Sequence, residues 1–297
     1  MRTALFQMNI IWEDKAQNLD KVRLCLDLLR DKAVNLLLLP EMSLTGFSMN
    51  TDNTAESDNY TVEQIKKLAS SYGISIGVGW TKKGEDSLCE NHYTIVPGDG
   101  GEGRNPKQTI AIAQKDGDVG RNELIESDYI KIHPFSYDNE DKYFRGGDKL
   151  SVCKFSNFSI GTAICYDLRF GEIFTKLSEQ ADMIIVPANW PASRVMHWDT
   201  LLRARAIENQ CYIAGINCAG MMNDKYYSGH SVIFNPAGEM QMPTIILDIN
   251  NNMIDVNSYN GEAEDAILIY DILNDVQELR TAFPLRNDRR PDLYNML

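Results

Sequence analysis

The chain has 297 residues, and 42 Asp and Glu against 29 Lys and Arg give it a formal net charge of −13 at pH 7. That length can enclose a sizeable core as one large α/β unit or two small ones, while the acidic balance disfavours a nucleic-acid or anionic-membrane partner. Six irregularly spaced cysteines without a CxxC pair, and four histidines far apart in the chain, argue against a disulfide framework and against a metal site.

Residues 2 to 12 read as a strand. The run lacks the long apolar core and small-residue cleavage site of a signal peptide, and no stretch approaches membrane-spanning length, so the cytoplasm is the expected compartment. Leu19, Val22, Leu26, Leu29 and Ala33 then recur at helical spacing over residues 15 to 33. Asn35 to Pro40 is an unalternated apolar strand of the kind buried on both faces, and it ends at Glu41. Further strands are expected at Ile74 to Trp80, Phe158 to Ile164, Met183 to Pro187 and Cys211 to Asn217, with helices at residues 62 to 71, 171 to 180 and 196 to 210. The alternation makes the chain α/β throughout. Residues 98 to 122 and 240 to 264 resist this scheme. Both are rich in Gly, Asn and Asp and are expected as surface excursions.

Three apolar strands end in polar or reactive residues, at Glu41, Cys165 and Asn189. Ligands of α/β sheets bind beyond the carboxyl ends of strands, so the three can share one pocket. Cys165 lies where the run IGTAI turns into YDLR. A free thiol is only a few per cent thiolate at neutral pH, so a catalytic cysteine needs a base or a cation nearby. Glu41 abuts five apolar residues, and Lys131 shares one strand face with Tyr129 and His133. Taken singly, each has an ordinary reading as well: a packed cysteine, a solvated loop acid and a surface strand face.

Taken together, PEMSLTGF (40–47), YIKIHPF (129–135), CYDLRFGE (165–172), ANWPASRVMHW (188–198) and LLRARAIENQCYIAGIN (201–217) resemble the nitrilase, or carbon-nitrogen hydrolase, superfamily in its order of Glu, Lys and Cys. The resemblance spans nearly the whole chain. It implies one carbon-nitrogen hydrolase domain over residues 1–297, built as a four-layer αββα sandwich, with a C-terminal tail near 283–297. It also implies Cys165 as nucleophile, Glu41 as general base and Lys131, with the Tyr166 backbone N–H, as the oxyanion partner. Glu140, with Phe144 and Gly147, matches the family's second glutamate, although Asp138 and Asp141 lie close by. No cofactor and no metal are expected.

The CYDLRF context is similar to the amidase branch that includes ω-amidases, whereas true nitrilases usually show Cys-Trp-Glu. An ω-amide substrate carries a carboxylate opposite the scissile bond, and Arg169 can clamp it bidentately unless it pairs with Asp167 or Glu172. Asn189, Trp190 and Trp198 are further expected pocket walls. The expected partner is a small amide, and a homodimer is expected from the family. Two alternatives stay open: an N-carbamoyl amide hydrolase, and a non-catalytic binding protein that would not need all three triad residues.

Overall fold

The computed structural model describes residues 1–98, 110–112 and 127–294. Among the described residues, fourteen strands form two mixed sheets of seven, and Ala219–Met222 pairs with Lys225–Ser228 in a separate hairpin. The first runs in the order Ile245–Asp248, Ala266–Asp271, Arg2–Gln7, Leu36–Leu38, Ser75–Lys83, Cys89–Val96 and Ser127–Ile130. The second runs Met240–Gln241, Val232–Phe234, Tyr212–Asn217, Met183–Ala188, Phe158–Thr162, Val152–Phe155 and Ile110–Ile112. Both follow one plan, a central trio of parallel strands flanked by antiparallel ones. Parallel neighbours need a crossover, and the helices Lys15–Leu29, Tyr60–Tyr72, Gly171–Ser178 and Val195–Asn209 provide them.

Side-chain alternation distributes these strands among three apolar layers. Leu37 and Leu39 pack outward with Phe6 and Val78 under Val22, Leu26, Ile65 and Ala69 of two helices. Leu36 and Leu38 face inward, where Leu5 and Tyr93 meet Ile160, Ile185 and Ile216 of the second sheet. Ile184, Val186 and Ile213 turn to the other side, against Phe174, Leu177, Trp198 and Leu202. The result is helix, sheet, sheet, helix. The unalternated LLLL run follows from it, because a strand covered on both faces needs apolar residues at every position.

Several boundaries differ from the sequence expectation for local reasons. The first helix, capped by the Asp14 carboxylate accepting from Gln17 N–H at 3.0 Å, ends at Leu29, and Ala33 beyond it has φ of 53°. Cys89–Val96 is a buried strand although it reads CENHYTIV, because Asn91, His92 and Thr94 all find hydrogen-bond partners. Residues 240–264 supply an edge strand, Ile245–Asp248, rather than turns alone. Their distal part is tied down by Gln7 Nε2, which donates to Tyr259 Oη, Gly261 O and Ala263 O at 2.7–3.0 Å. Of the other expected excursion, Ile110–Ile112 pairs with Val152–Phe155, and residues 99–109 and 113–122 lie outside the described residues. No helix among the described residues is long and apolar enough to cross a membrane.

Candidate active site

Glu41 lies just beyond the strand Leu36–Leu38, fully buried. Its turn rests on the neighbouring strand: Ser43 N–H donates to Gly79 O, and Gly79 N–H to Ser43 Oγ, both at 2.9 Å. A Cβ at Gly79 would stand 2.4 Å from Met42 N and 2.8 Å from Glu41 Cα, so only glycine lets the two backbones approach this closely. Lys131 follows the strand Ser127–Ile130, its N–H donating to Asn91 O at 2.9 Å, and it is 1% exposed. Glu140, in the short turn Glu140–Lys142, is likewise buried.

These three side chains meet. Lys131 Nζ donates to Glu41 Oε1 at 2.9 Å and to Glu140 Oε1 and Oε2 at 3.0 and 2.8 Å. Asn91 Nδ2 donates to both carboxylates, at 2.8 Å to Glu41 and 3.2 Å to Glu140. The second Glu41 oxygen accepts the Asn189 backbone N–H at 3.0 Å, and Asn189 Nδ2 donates to Glu41 O at 2.7 Å. Burial alone would lower the Lys131 pKa, but the Glu140 and Glu41 carboxylates outweigh it and hold the ammonium charged. Glu140 is pushed up by burial, with Lys131 opposing and the like charge of Glu41 adding to the rise.

Cys165 begins the turn Cys165–Arg169 with φ of 48°, a strained left-handed backbone for a residue with a Cβ. Asp167 clamps that turn to the lysine segment. Its carboxylate accepts from Ile164 N–H and Tyr129 Oη on one oxygen, and from His133 N–H on the other, at 2.8–3.0 Å; His133 Nδ1 lies 2.7 Å from that second oxygen. The strand expected to carry Tyr129, Lys131 and His133 on one face ends at Ile130, yet the three act together, Tyr129 and His133 fixing the Cys165 turn and Lys131 binding the carboxylates. Burial raises the Cys165 thiol well above the usual thiol range; Glu41 adds to this, and Lys131 opposes it. At neutral pH the resting group is the thiol, and nucleophilic use of it needs a proton acceptor.

Cys165 opens onto a cavity lined by Phe47, Phe135, Tyr166, Asn189, Trp190 and Tyr227 together with Asp138, Arg169, Arg194 and Lys225. Tyr166 packs against Phe135 and Phe170. Arg169 lies 4.9 Å over the Trp190 ring and 3.2 Å from His197 Nδ1, and among the described residues it pairs with no carboxylate, Asp167 being committed to His133. Trp198 does not line the cavity. It is a core residue behind Trp190, fully buried, and donates Nε1–H to His230 O at 2.8 Å. Asp138, near Glu140 in sequence, pairs instead with Lys225. Among the described residues no group of three His, Cys, Asp or Glu is placed to hold a metal ion.

Asn91, Asp167 and Gly79 join the site although no sequence expectation places them there. Gly79 had a legible cue, as a glycine inside a buried strand marks a close backbone approach. Asn91 had only its polarity in an otherwise unremarked segment, and Asp167 was considered only as a partner for Arg169.

The model of the carbon-nitrogen hydrolases matches residues 2–244. The chain belongs to the carbon-nitrogen hydrolase family. Among curated relatives, the 2-oxoglutaramate amidase of Bacillus subtilis is 29% identical over 292 residues, covering 97% of each chain. The omega-amidase YafV of Yersinia enterocolitica is 31% identical over 242 residues, covering 81% of this chain and 84% of its own. Among solved structures, XC1258 of Xanthomonas campestris, a CN-hydrolase superfamily protein with an arsenic adduct in its active site, superposes with a TM-score of 0.77 at 26% identity, over 98% of this chain and 97% of that one. This carbon-nitrogen hydrolase thus shares its α/β architecture with that superfamily along nearly its whole length.

Proposed function

We propose that this carbon-nitrogen hydrolase is an ω-amidase-like thiol amidase, cleaving the terminal amide of a small dicarboxylic acid monoamide and releasing ammonia. The observation that carries the reading is a buried Glu41–Lys131–Glu140 cluster beside the Cys165 thiol, at the base of a cavity whose Arg169 guanidinium lacks a carboxylate partner among the described residues. The ω-amidase and 2-oxoglutaramate amidase names of the relatives support the same substrate class.

In this mechanism Glu41 takes the thiol proton as Cys165 Sγ attacks the amide carbon. The oxyanion faces Lys131 Nζ and the Tyr166 backbone N–H, donors whose contribution exists only as that charge develops. Glu41 returns its proton to the nitrogen, ammonia leaves, and a thioester remains on Cys165. Water deprotonated by Glu41 then hydrolyses it, releasing the dicarboxylic acid and restoring the thiol. Glu140 aims Lys131 through two hydrogen bonds, and Asn91 holds both glutamates in register. Tyr166, Asn189 and Trp190 wall the acyl group, and Arg169 takes its far carboxylate bidentately.

The six free cysteines suit a reducing, cytoplasmic compartment. The tail carries exposed Phe283, Leu293 and Tyr294, apolar groups suited to a homodimer contact; a monomeric mass in solution would contradict that state. The activity is tested by an ammonia-release screen of ω-amides against nitriles and N-carbamoyl compounds, with Arg169→Ala alongside. Charged hydrogen bonds contribute about 1.5–3 kcal/mol, so the variant's KM for carboxylate-bearing amides should rise roughly 10- to 150-fold. Release of carbon dioxide with ammonia from a carbamoyl compound as the best substrate would overturn the ω-amidase reading.

A further inference from the structure

A second cavity opens at the edge of the sandwich, where the chain passes from the edge strand Met240–Gln241 of one sheet towards Ile245–Asp248 of the other. It measures about 220 Å³, far more than one water occupies, and shares no lining residue with the cavity over Cys165. Val232, Met240, Met242, Pro243 and Leu268 give it apolar walls. Met240 and Met242 are exposed, and their unbranched thioethers can mould to an apolar guest.

Two phenols face this space with nothing to donate to. Tyr270 is 2% exposed, yet its hydroxyl makes no hydrogen bond among the described residues. Tyr259 Oη accepts from Gln7 Nε2 at 3.0 Å, but its own O–H finds no acceptor among them. Buried donors of this kind are costly to leave unmade. The charged groups are already engaged: His230 Nδ1 lies 3.2 Å from Asp199, and its other ring nitrogen 3.9 Å from Glu262. Two carboxylates against one imidazole disfavour an anionic guest, and an ammonium brings only donors towards phenols that need an acceptor. A neutral carbonyl oxygen supplies two lone pairs without burying a charge.

The same wall reaches the catalytic cavity through two adjacent residues. His230, at a left-handed φ of 59°, accepts Trp198 Nε1–H on its carbonyl at 2.8 Å, and the Trp198 ring lies 5.4 Å from that of Trp190. Ser231 Oγ accepts Asn217 N–H at 3.0 Å, and the Asn217 side chain holds both backbone groups of Trp190, at 2.7 and 2.9 Å. Trp190 in turn lines the cavity over Cys165 and carries Arg169 on its ring. Ring and backbone of Trp190 are thus both set by residues of the second cavity.

We infer that this cavity is an effector site for a small uncharged carbonyl compound with an apolar body, which accepts from Tyr259 and Tyr270 and whose binding is felt at Trp190 and hence in substrate affinity.

The probe is 2-heptanone, with heptanoate and heptylamine as its charged counterparts, titrated by calorimetry into Cys165→Ala enzyme, which has no catalytic thiol to add to a ketone. The ketone should bind more tightly than either ion, and an ω-amide that this variant holds without cleaving should not expel it. Adding Tyr270→Phe should weaken it about 2- to 12-fold, the loss of one neutral hydrogen bond. In native enzyme the ketone should change KM for the same amide, and Tyr270→Phe should need correspondingly more of it for the same change. No binding, or equal affinity in a Tyr270→Phe protein of unaltered thermal midpoint, would overturn the site and leave its hydroxyls to water. Tighter binding of heptylamine or heptanoate would overturn the ligand class. Expulsion by the amide would place the ketone over Cys165 instead, and binding that leaves KM untouched would overturn the effector role.

Discussion

Lys131→Met removes the cation from between two fully buried carboxylates while keeping much of the side-chain volume. Lys131 Nζ makes three hydrogen bonds at 2.8–3.0 Å to Glu41 and Glu140, and neither acid is solvent-exposed. Removing one partner of a buried ion pair costs about 3–5 kcal/mol, since the remaining charge cannot be hydrated. The loss also has a pH signature. Without the cation, burial and the like charge of Glu41 hold the Glu140 carboxyl further above the roughly 4.3 of an unfolded glutamate, since Lys131 is what opposes that rise. An acid raised on folding favours the folded state below the unfolded value and withdraws that support as pH rises through the folded one. The stability gap between native and variant should therefore be smallest near pH 5 and widest near pH 8, and Glu140→Gln in the variant background should close part of it. Urea unfolding followed by tryptophan fluorescence measures the gap, with Lys176→Met as the control, because Lys176 and Glu179 form an exposed pair worth roughly 0–1 kcal/mol. A gap that is equal at the two pH values, or no larger than the control's, would refute the electrostatic account of the cluster.

Gly79→Ala should lower kcat about 100-fold, the order expected when a reacting group is misplaced by about 1 Å, because the new methyl meets the backbone of Glu41 and Met42. Steady-state kinetics with a thermal melt checks this, and native kcat in a folded variant would show that the turn accommodates the methyl. His230, whose pKa is raised chiefly by its hydrogen bond to Asp199, also faces Glu262. A base raised on folding stabilises fully below its unfolded pKa of about 6.5 and loses that contribution as pH rises through the folded value. His230→Gln should thus cost roughly 0.5–1 kcal/mol at pH 5.5 and little at pH 9. The same cost at both would place the effect in packing rather than charge.

The fold was legible where burial leaves a periodic trace. Asn35 to Pro40 reads as a doubly covered strand and Met183 to Pro187 as a strand because packing on both faces leaves unbroken apolar runs. Cys89–Val96 escaped notice because its buried positions are polar and satisfied by distant partners such as Glu41 and Asp128, which no local pattern reveals. At the candidate site, Glu41, Cys165 and Asn189 stood out as residues ending apolar runs. The convergence of Glu41 with Lys131 was legible only through the family resemblance, since 90 positions separate them and only the packing of strands brings them within 2.9 Å. Asp167 was readable as polar but not as the clamp between His133, Tyr129 and the Cys165 turn, because its partners come from another sheet. Trp198 was misplaced for the converse reason: it shares a motif with Trp190, yet the helix Val195–Asn209 turns it into the core.

The central claim is that Cys165 carries the acyl group. Rapid quenching of the native enzyme with a good ω-amide, followed by peptide mass spectrometry, should find the acyl mass on the Cys165 peptide, and Cys165→Ala should show neither that adduct nor ammonia release. Turnover of the same amide by a folded Cys165→Ala protein would contradict it.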